Sequence, residues 1–92
     1  MSRITVYQHV GYVGLAFGAL DSVPSLVPFN LNDHVSSVDV ESGKWELYEH
    51  VNFTGQRWIV EADGGPARNG GYPTFQNWNG PNDIISSIKK VG

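Results

Sequence analysis

Two copies of one short polar motif are the residues best suited to chemistry in this chain. Residues 32–37 read Asn-Asp-His-Val-Ser-Ser, and residues 82–87 read Asn-Asp-Ile-Ile-Ser-Ser. Each copy offers amide, carboxylate and hydroxyl oxygens, and calcium is a hard cation that takes such oxygen ligands together with backbone carbonyls. A polar turn capped by its own side chains would use the same residue types, so one copy alone would favour that simpler interpretation.

A second repeated pattern precedes each polar motif. Residues 7–14 read Tyr-Gln-His-Val-Gly-Tyr-Val-Gly, and residues 48–55 read Tyr-Glu-His-Val-Asn-Phe-Thr-Gly, 41 positions later. The polar motifs are 50 positions apart, so the second copy carries nine extra residues, which we place in the Gly- and Pro-rich stretch 63–81. Two patterns duplicated in the same order predict an internal repeat whose copies share one core.

The spacing of the aromatic residues in this pattern predicts a folded hairpin. Tyr7 and Tyr12 are five positions apart, and a straight strand would place them on opposite faces. A tight hairpin can instead bring the two rings together. Gly14 and Gly55 would then supply a positive φ, or a backbone against which a ring can lie.

Short alternating segments dominate the rest of the chain. Ile4 and Val6 alternate with polar residues, as do Trp45 and Leu47. Further predicted strands cover residues 15–17, 35–40, 57–61 and 84–91. No window of useful length shows helical periodicity, and short strands at roughly 8–12-residue spacing are typical of a sandwich or barrel.

The repeat defines two halves, residues 3–41 and residues 44–92, each reading as a hairpin, a third strand, a loop and a last strand. Neither half could bury a core alone, because even the whole chain of 92 residues buries only about 60–65% of its unfolded surface. We therefore predict one domain over residues 1–92, in which the halves pack face to face.

Composition excludes several classes of function. Charged residues make up 16% of the chain and the net charge is −3, so no basic surface for nucleic acid is expected. No apolar run is long enough to cross a membrane. The chain has no cysteine, which excludes disulfides and Cys-based metal or redox chemistry. No signal-peptide pattern is seen at the N-terminus, and the composition suits an extracellular or a cytoplasmic setting equally.

The paired motifs resemble the βγ-crystallin superfamily, in particular its microbial calcium-binding members. The aromatic-x₄-aromatic-x-Gly signature of that family matches residues 7–14 and 48–55, and its Asn/Asp-Asn/Asp-x-x-Ser/Thr-Ser signature matches residues 32–37 and 82–87. The resemblance implies an all-β, crystallin-like Greek-key sandwich of two four-stranded antiparallel sheets. It also implies two Ca²⁺ ions, at sites that the two halves share, acting mainly to stabilise the fold.

Carried over by position, the resemblance implies a ligand set for each site. The hydroxyls of the first Ser of each motif and the carboxylates of its Asp would be side-chain ligands, with the Asp reaching across to the other half. Backbone carbonyls would come from the residue after the first hairpin aromatic and from the third motif position. The expected pairing is Gln8, His34, Ser36 and Asp83 at one site, and Glu49, Ile84, Ser86 and Asp33 at the other.

Catalysis is not expected. Asp33, His34 and Ser36 lie too close together in sequence to reach the geometry of a hydrolase triad. His9 and His50 occupy equivalent repeat positions, which favours a structural role in the hairpins over a metal site. We expect a monomer that binds calcium and contacts neither nucleic acid nor membrane.

One alternative function stays open at this stage. The loop 63–81 contains Tyr72, Phe75 and Trp78, and an exposed aromatic loop could bind a carbohydrate or a protein, for example as a proteinase inhibitor. We favour the other interpretation, in which these side chains pack over the end of the sandwich. No particular protein or glycan partner is indicated.

Overall fold

Seven β-strands form the regular structure of the chain in a computed structural model, which describes residues 2–29, 35–78 and 85–92. Two short 3₁₀ turns, Val27–Phe29 and Phe75–Trp78, accompany them. The strands are β1 (Arg3–His9), β2 (Val13–Ala19), β3 (Ser37–Ser42), β4 (Lys44–His50), β5 (Thr54–Glu61), β6 (Gly71–Tyr72) and β7 (Ser87–Lys90).

The strands form two antiparallel sheets that exchange segments between the halves. The first sheet has the order β2-β1-β3-β6, so a strand of the second half completes the sheet of the first. The second sheet has the order β5-β4-β7, and Val23 of the first half joins it through an isolated bridge to Ile88. The two halves are therefore interlocked.

The predicted all-β sandwich is confirmed, with one difference in strand number. Where four strands were expected in each sheet, the described part of the second sheet has three strands and the Val23 bridge. Val23 exchanges two backbone hydrogen bonds with Ile88, at 2.8 and 3.1 Å.

The core lies between the sheets and follows the period-2 pattern of the sequence. Inward positions of the two central strands are fully buried: Ile4 and Val6 on β1, and their repeat counterparts Trp45 and Leu47 on β4. Burial of such a side chain contributes about 1.5–3 kcal/mol each. The other members of the buried core cluster are Ala19, Leu26, Val35, Val38, Val40, Val60, Tyr72, Trp78, Ile85 and Ile88.

Strand boundaries differ from the sequence predictions at the polar motifs. The predicted strands 35–40 and 84–91 are observed as Ser37–Ser42 and Ser87–Lys90. Val35 and Ile85 are fully buried although they precede the strands. Val35 and Ile85 are therefore apolar because they are buried just before each strand begins, and not because they belong to the strand.

Most of the extra residues of the second half fall between β5 and β6. Tyr72 pairs with Val38, as Val23 pairs with the equivalent Ile88, so Tyr72 and Val23 occupy matching positions. The inserted turn packs on β3, where the Val40 N–H donates to the Gly70 carbonyl at 2.7 Å. No helical segment in the described residues is long and apolar enough to span a membrane.

Candidate metal centre

The two hairpins have the same geometry. The rings of Tyr7 and Tyr12 meet edge to face with centroids 5.5 Å apart, and those of Tyr48 and Phe53 do so at 5.9 Å. Tyr12 and Phe53 adopt positive φ angles of 63° and 60°, which fold the chain back on itself. The prediction that a hairpin brings both rings together is confirmed in both copies.

Each hairpin closes on a glycine that has no room for a side chain. Gly14 has a φ of +88° and Gly55 a φ of +82°, values that favour glycine. A Cβ at Gly14 would lie 2.6 Å from Cδ2 of His9, and one at Gly55 would lie 2.6 Å from Cδ2 of His50. Both histidine rings therefore pack against glycine, which agrees with the predicted structural role.

A β-bulge marks the residue after the first aromatic of each hairpin. The register between β1 and β2 shifts between Tyr7 and His9, so Gln8 has no register partner, and the same shift in the second hairpin isolates Glu49. Such a bulge disrupts the ladder locally. The two carbonyls expected to bind calcium thus belong to residues that the ladder leaves unpaired.

The side chains of these bulge residues support the hairpins. Oε1 of Gln8 accepts the N–H of Leu15 at 3.2 Å, and Oε1 of Glu49 accepts the N–H of Gln56 at 3.3 Å. Oε1 of Glu49 also lies 3.6 Å from Nε2 of His50. The two bulges therefore share a geometry but differ by one carboxylate, that of Glu49.

The first Ser of each polar motif lies beside the corresponding bulge. Ser36 and Ser86 are buried, and their backbone N–H groups donate to the carbonyls of Tyr7 and Tyr48, each at 2.9 Å. Ser36 is thus brought next to the residue preceding Gln8, and Ser86 next to the residue preceding Glu49. Two of the four residues predicted as ligands of each site therefore lie close to each other, one position removed from a direct hydrogen bond.

The second Ser of each motif has a role that the sequence interpretation missed. Ser37 and Ser87 are fully buried, and their hydroxyls donate to the carbonyls of His9 and His50, each at 2.6 Å. The same hydroxyls accept the N–H groups of the second hairpin aromatics, each at 3.1 Å. The sequence did contain a signal for this role, because Ser occupies the last position of the polar motif in both copies.

Four predicted ligands, Asp33, His34, Asp83 and Ile84, lie outside the described residues. Within the ranges that are described, no group of three or more Asp, Glu or His side chains is arranged to hold a metal ion. The donors that are described are hydroxyl and carbonyl oxygens, with no nitrogen or sulfur. This donor set fits calcium, a hard cation, better than a transition metal.

The halves contact each other at both hairpin tips. The Gly11 N–H of the first hairpin donates to the Pro73 carbonyl, and the Asn52 N–H of the second donates to the Pro24 carbonyl, each at 2.7 Å. The Leu26 N–H also donates to the Ser86 carbonyl at 2.9 Å. The segment that leads to residues 30–34 therefore lies along the hairpin of the opposite half.

Three ionisable groups near the hairpins are perturbed. Burial, then the charge of Asp39, then Tyr7 raise the pKa of Tyr12. Burial, reinforced by Glu41, raises the pKa of Asp39. A 2.6 Å hydrogen bond to Glu46 is the main cause of the raised pKa of Tyr48. The raised pKa values of Tyr12 and Tyr48 favour the neutral form of both side chains.

The loop aromatics point inward, as the favoured interpretation expected. Tyr72 and Trp78 are buried in the core cluster with ring centroids 6.4 Å apart, and Phe75 packs against that cluster. Nε1 of Trp78 is buried and meets no hydrogen-bond acceptor among the described residues. These rings do not form an exposed platform for a carbohydrate or a protein.

Comparisons with known proteins identify the family. The sequence pattern of a family described as Beta/Gamma crystallin matches residues 3–91. Gamma-crystallin N of Rattus norvegicus is 32% identical over 90 residues, which cover 98% of this chain and 45% of that protein. The chain therefore spans about half the length of the curated relatives it matches.

Solved structures of similar length share the fold. A betagamma-crystallin from an archaeon superposes with a TM-score of 0.86 at 32% identity, covering 98% of each chain. A beta gamma crystallin from Ciona intestinalis superposes with a TM-score of 0.85 at 30% identity, covering 97% of this chain and 99% of that one. The similarity thus extends over almost the whole chain.

Proposed function

We propose that this chain, which belongs to the Beta/Gamma crystallin family, binds two calcium ions at sites shared between its halves. The observation that supports the proposal is a buried Ser placed beside a bulge in both copies. Ser36 donates its N–H to the carbonyl of Tyr7, the residue before Gln8, and Ser86 donates to the carbonyl of Tyr48, the residue before Glu49. In this proposal calcium acts mainly by stabilising the fold, and the chain has no catalytic residues.

The first proposed site uses the carbonyls of Gln8 and His34, the hydroxyl of Ser36 and the carboxylate of Asp83. The carbonyls of Glu49 and Ile84, the Ser86 hydroxyl and the Asp33 carboxylate form the second. A bulge residue is suited to this role because its carbonyl is released from the regular ladder. Bound calcium would supply a positive charge that holds these oxygens together.

The contacts between the halves support the proposed exchange of Asp residues. Pro24 and Leu26 bind backbone groups of Asn52 and Ser86, which belong to the second half. Asp33 lies nine positions after Pro24 in the sequence, within reach of the site that contains Glu49. The same logic applies to Asp83 through the contact of Pro73 with the first hairpin.

The proposed sites hold about one formal carboxylate ligand each. Calcium affinity in proteins rises with ligand charge, so we expect a Kd of roughly 10⁻⁶ to 10⁻³ M. With free calcium at about 100 times Kd, one site would add roughly 2.7 kcal/mol to the free energy of unfolding. Typical domains have only about 5–15 kcal/mol of stability, so this contribution would be large.

Isothermal titration calorimetry of the wild type, Asp33→Ala and Asp83→Ala tests the proposal. We expect two calcium ions per wild-type chain and the loss of one site in each variant. Asp63→Ala is the matched control, because Asp63 is an exposed residue of the inserted loop. A wild type that takes up no calcium, or Asp33 and Asp83 variants that titrate like the control, would contradict the proposal.

A further inference from the structure

The outer strand of the first sheet lacks the charged residues and prolines that often protect a sheet edge. Among the described residues β2 has one neighbour, β1, and its other side is open. Its sequence, Val-Gly-Leu-Ala-Phe-Gly-Ala, contains no charged residue and no proline. Natural edge strands are normally blunted by such residues, because an open edge presents unpaired N–H and C=O groups to other chains.

The hydrogen bonds around β1 show which backbone groups of β2 point outward. The Ser36 N–H donates to the Tyr7 carbonyl, so the backbone groups of Tyr7 are directed towards β3. Directions alternate along an antiparallel strand, so Val6 is directed towards β2 and pairs with Phe17. The residues on either side of Phe17 therefore direct their N–H and C=O groups away from β1.

Those two residues, Ala16 and Gly18, leave the edge uncovered. Both are exposed, and neither has a side chain larger than a methyl group. Gly18 has no positive φ, and a Cβ there would make only ordinary contacts, at 3.7 Å to Thr5 and 3.8 Å to Arg3. The strand is therefore regular at this point, and its outward polar groups are accessible.

The equivalent edge of the second sheet carries larger side chains, one of them charged. Arg57 occupies the position on β5 that matches Ala16 on β2, where it pairs with Glu46 on β4 at 3.1 Å. Ile59, which is 48% exposed, occupies the position that matches Gly18. Gln56 and Glu61 add further polar groups to the same strand. The difference between the two edges is specific to this chain's residues, since the hairpins are otherwise alike.

We propose that the β2 edge pairs antiparallel with β2 of a second copy of this chain, in contrast to the monomer expected from the sequence. A two-fold axis at Phe17 would place Ala16 of each copy opposite Gly18 of the other. Each of these two residue pairs would form two backbone hydrogen bonds, about four in total. Leu15, which is 50% exposed, then lies opposite Ala19 of the second copy. A second copy suits the edge because two uncharged strands meet without repulsion, although each chain carries a net charge of −3.

Sedimentation equilibrium up to about 1 mM chain tests the pairing, since even a weak dimer is populated at that concentration. The wild type should show a monomer–dimer equilibrium. Ala16→Lys and Gly18→Glu each place a charge on the open edge and should raise the dimer dissociation constant at least about tenfold. Ile59→Lys is the matched control, because it places a charge on the edge strand of the other sheet and should leave the dimer unchanged.

Circular dichroism melting of each variant accompanies the sedimentation runs, so that only folded proteins are compared. Gly18→Glu is the second, independent variant in case Ala16→Lys does not fold. A wild type that remains monomeric over the whole concentration range would overturn the proposal. Equal dimer dissociation constants for the wild type, Ala16→Lys and Gly18→Glu would also overturn it. So would a result in which Ile59→Lys dissociates the dimer and the two β2 variants do not.

Discussion

Adjacent serines in each polar motif have different roles. Ser37 is fully buried and holds the hairpin by donating to the His9 carbonyl and accepting the Tyr12 N–H. Ser36, one position earlier, lies beside the bulge at Gln8, where calcium is proposed to bind. In the Ser-Ser pair, the first Ser is thus a proposed calcium ligand and the second Ser is a structural residue.

Alanine substitutions should separate these two roles. In chelator, Ser37→Ala should lower the free energy of unfolding by about 1–3 kcal/mol, because it leaves buried backbone groups unsatisfied. Ser36→Ala should mainly weaken calcium binding. Urea unfolding in chelator and calcium calorimetry measure the two effects. The assignment fails if Ser37→Ala is neutral in chelator or if Ser36→Ala binds calcium as the wild type does.

Glu49 and Gln8 offer a matched test of charge at the two proposed sites. Their side chains make the same hydrogen bond to the hairpin, so an exchange of amide and carboxylate alters charge with little change in geometry. Glu49→Gln should raise the Kd of one site roughly threefold to tenfold, and Gln8→Glu should lower the Kd of the other by a similar factor. Calorimetry at low salt measures both. Equal affinities in wild type and both variants would show that these carboxylates are too distant to act on the ion.

At the level of the element, each hairpin depends on a glycine that the fold cannot replace. Gly14 combines a positive φ with contact to the His9 ring. Gly11 also has a positive φ, but a Cβ added there would meet no atom of the described residues within 4 Å. Substitution of Gly11 therefore tests backbone strain alone, whereas substitution of Gly14 tests backbone strain together with a steric clash against the His9 ring.

Gly11→Ala should cost about 1–2 kcal/mol, the ordinary penalty of a left-handed conformation. Gly14→Ala should cost at least about 1 kcal/mol more, because the His9 ring must also move. Chemical denaturation of both variants, in chelator, gives the comparison. If both variants lose the same stability, the contact with His9 has no energetic importance.

The hairpins and the core could be predicted because their signals are local. Aromatic and glycine spacing defines the fold of residues 7–14, and period-2 alternation identifies Ile4, Val6, Trp45 and Leu47 as core residues. The duplication also predicted an internal repeat, and the short length of each half predicted that the two halves share one core. These features depend on residues close together in the chain.

Features that depend on distant pairing could not be predicted. β6 is only Gly71–Tyr72, and it becomes a strand because it pairs with β3. The bridge of Val23 to Ile88 and the backbone hydrogen bonds of Pro24 and Pro73 likewise join the two halves. Nothing in the local sequence specifies such partners, so the exchange of segments between sheets is visible only in the folded chain.

At the level of the whole molecule, the halves are joined in two ways. Segments exchanged between the sheets connect them in the structure, and calcium shared between Asp of one half and Ser of the other is proposed to add a second connection. Because the chain has no cysteine and hence no disulfide, this connection would act directly on global stability.

Thermal melting with and without calcium tests the central claim most directly. Calcium at about 10 mM exceeds the weak end of the expected Kd range about tenfold, so each site should add at least about 1.4 kcal/mol. For a domain of this size the melting midpoint should rise by at least about 5 °C, with a smaller rise in equal magnesium. A midpoint that stays unchanged in calcium would contradict the account.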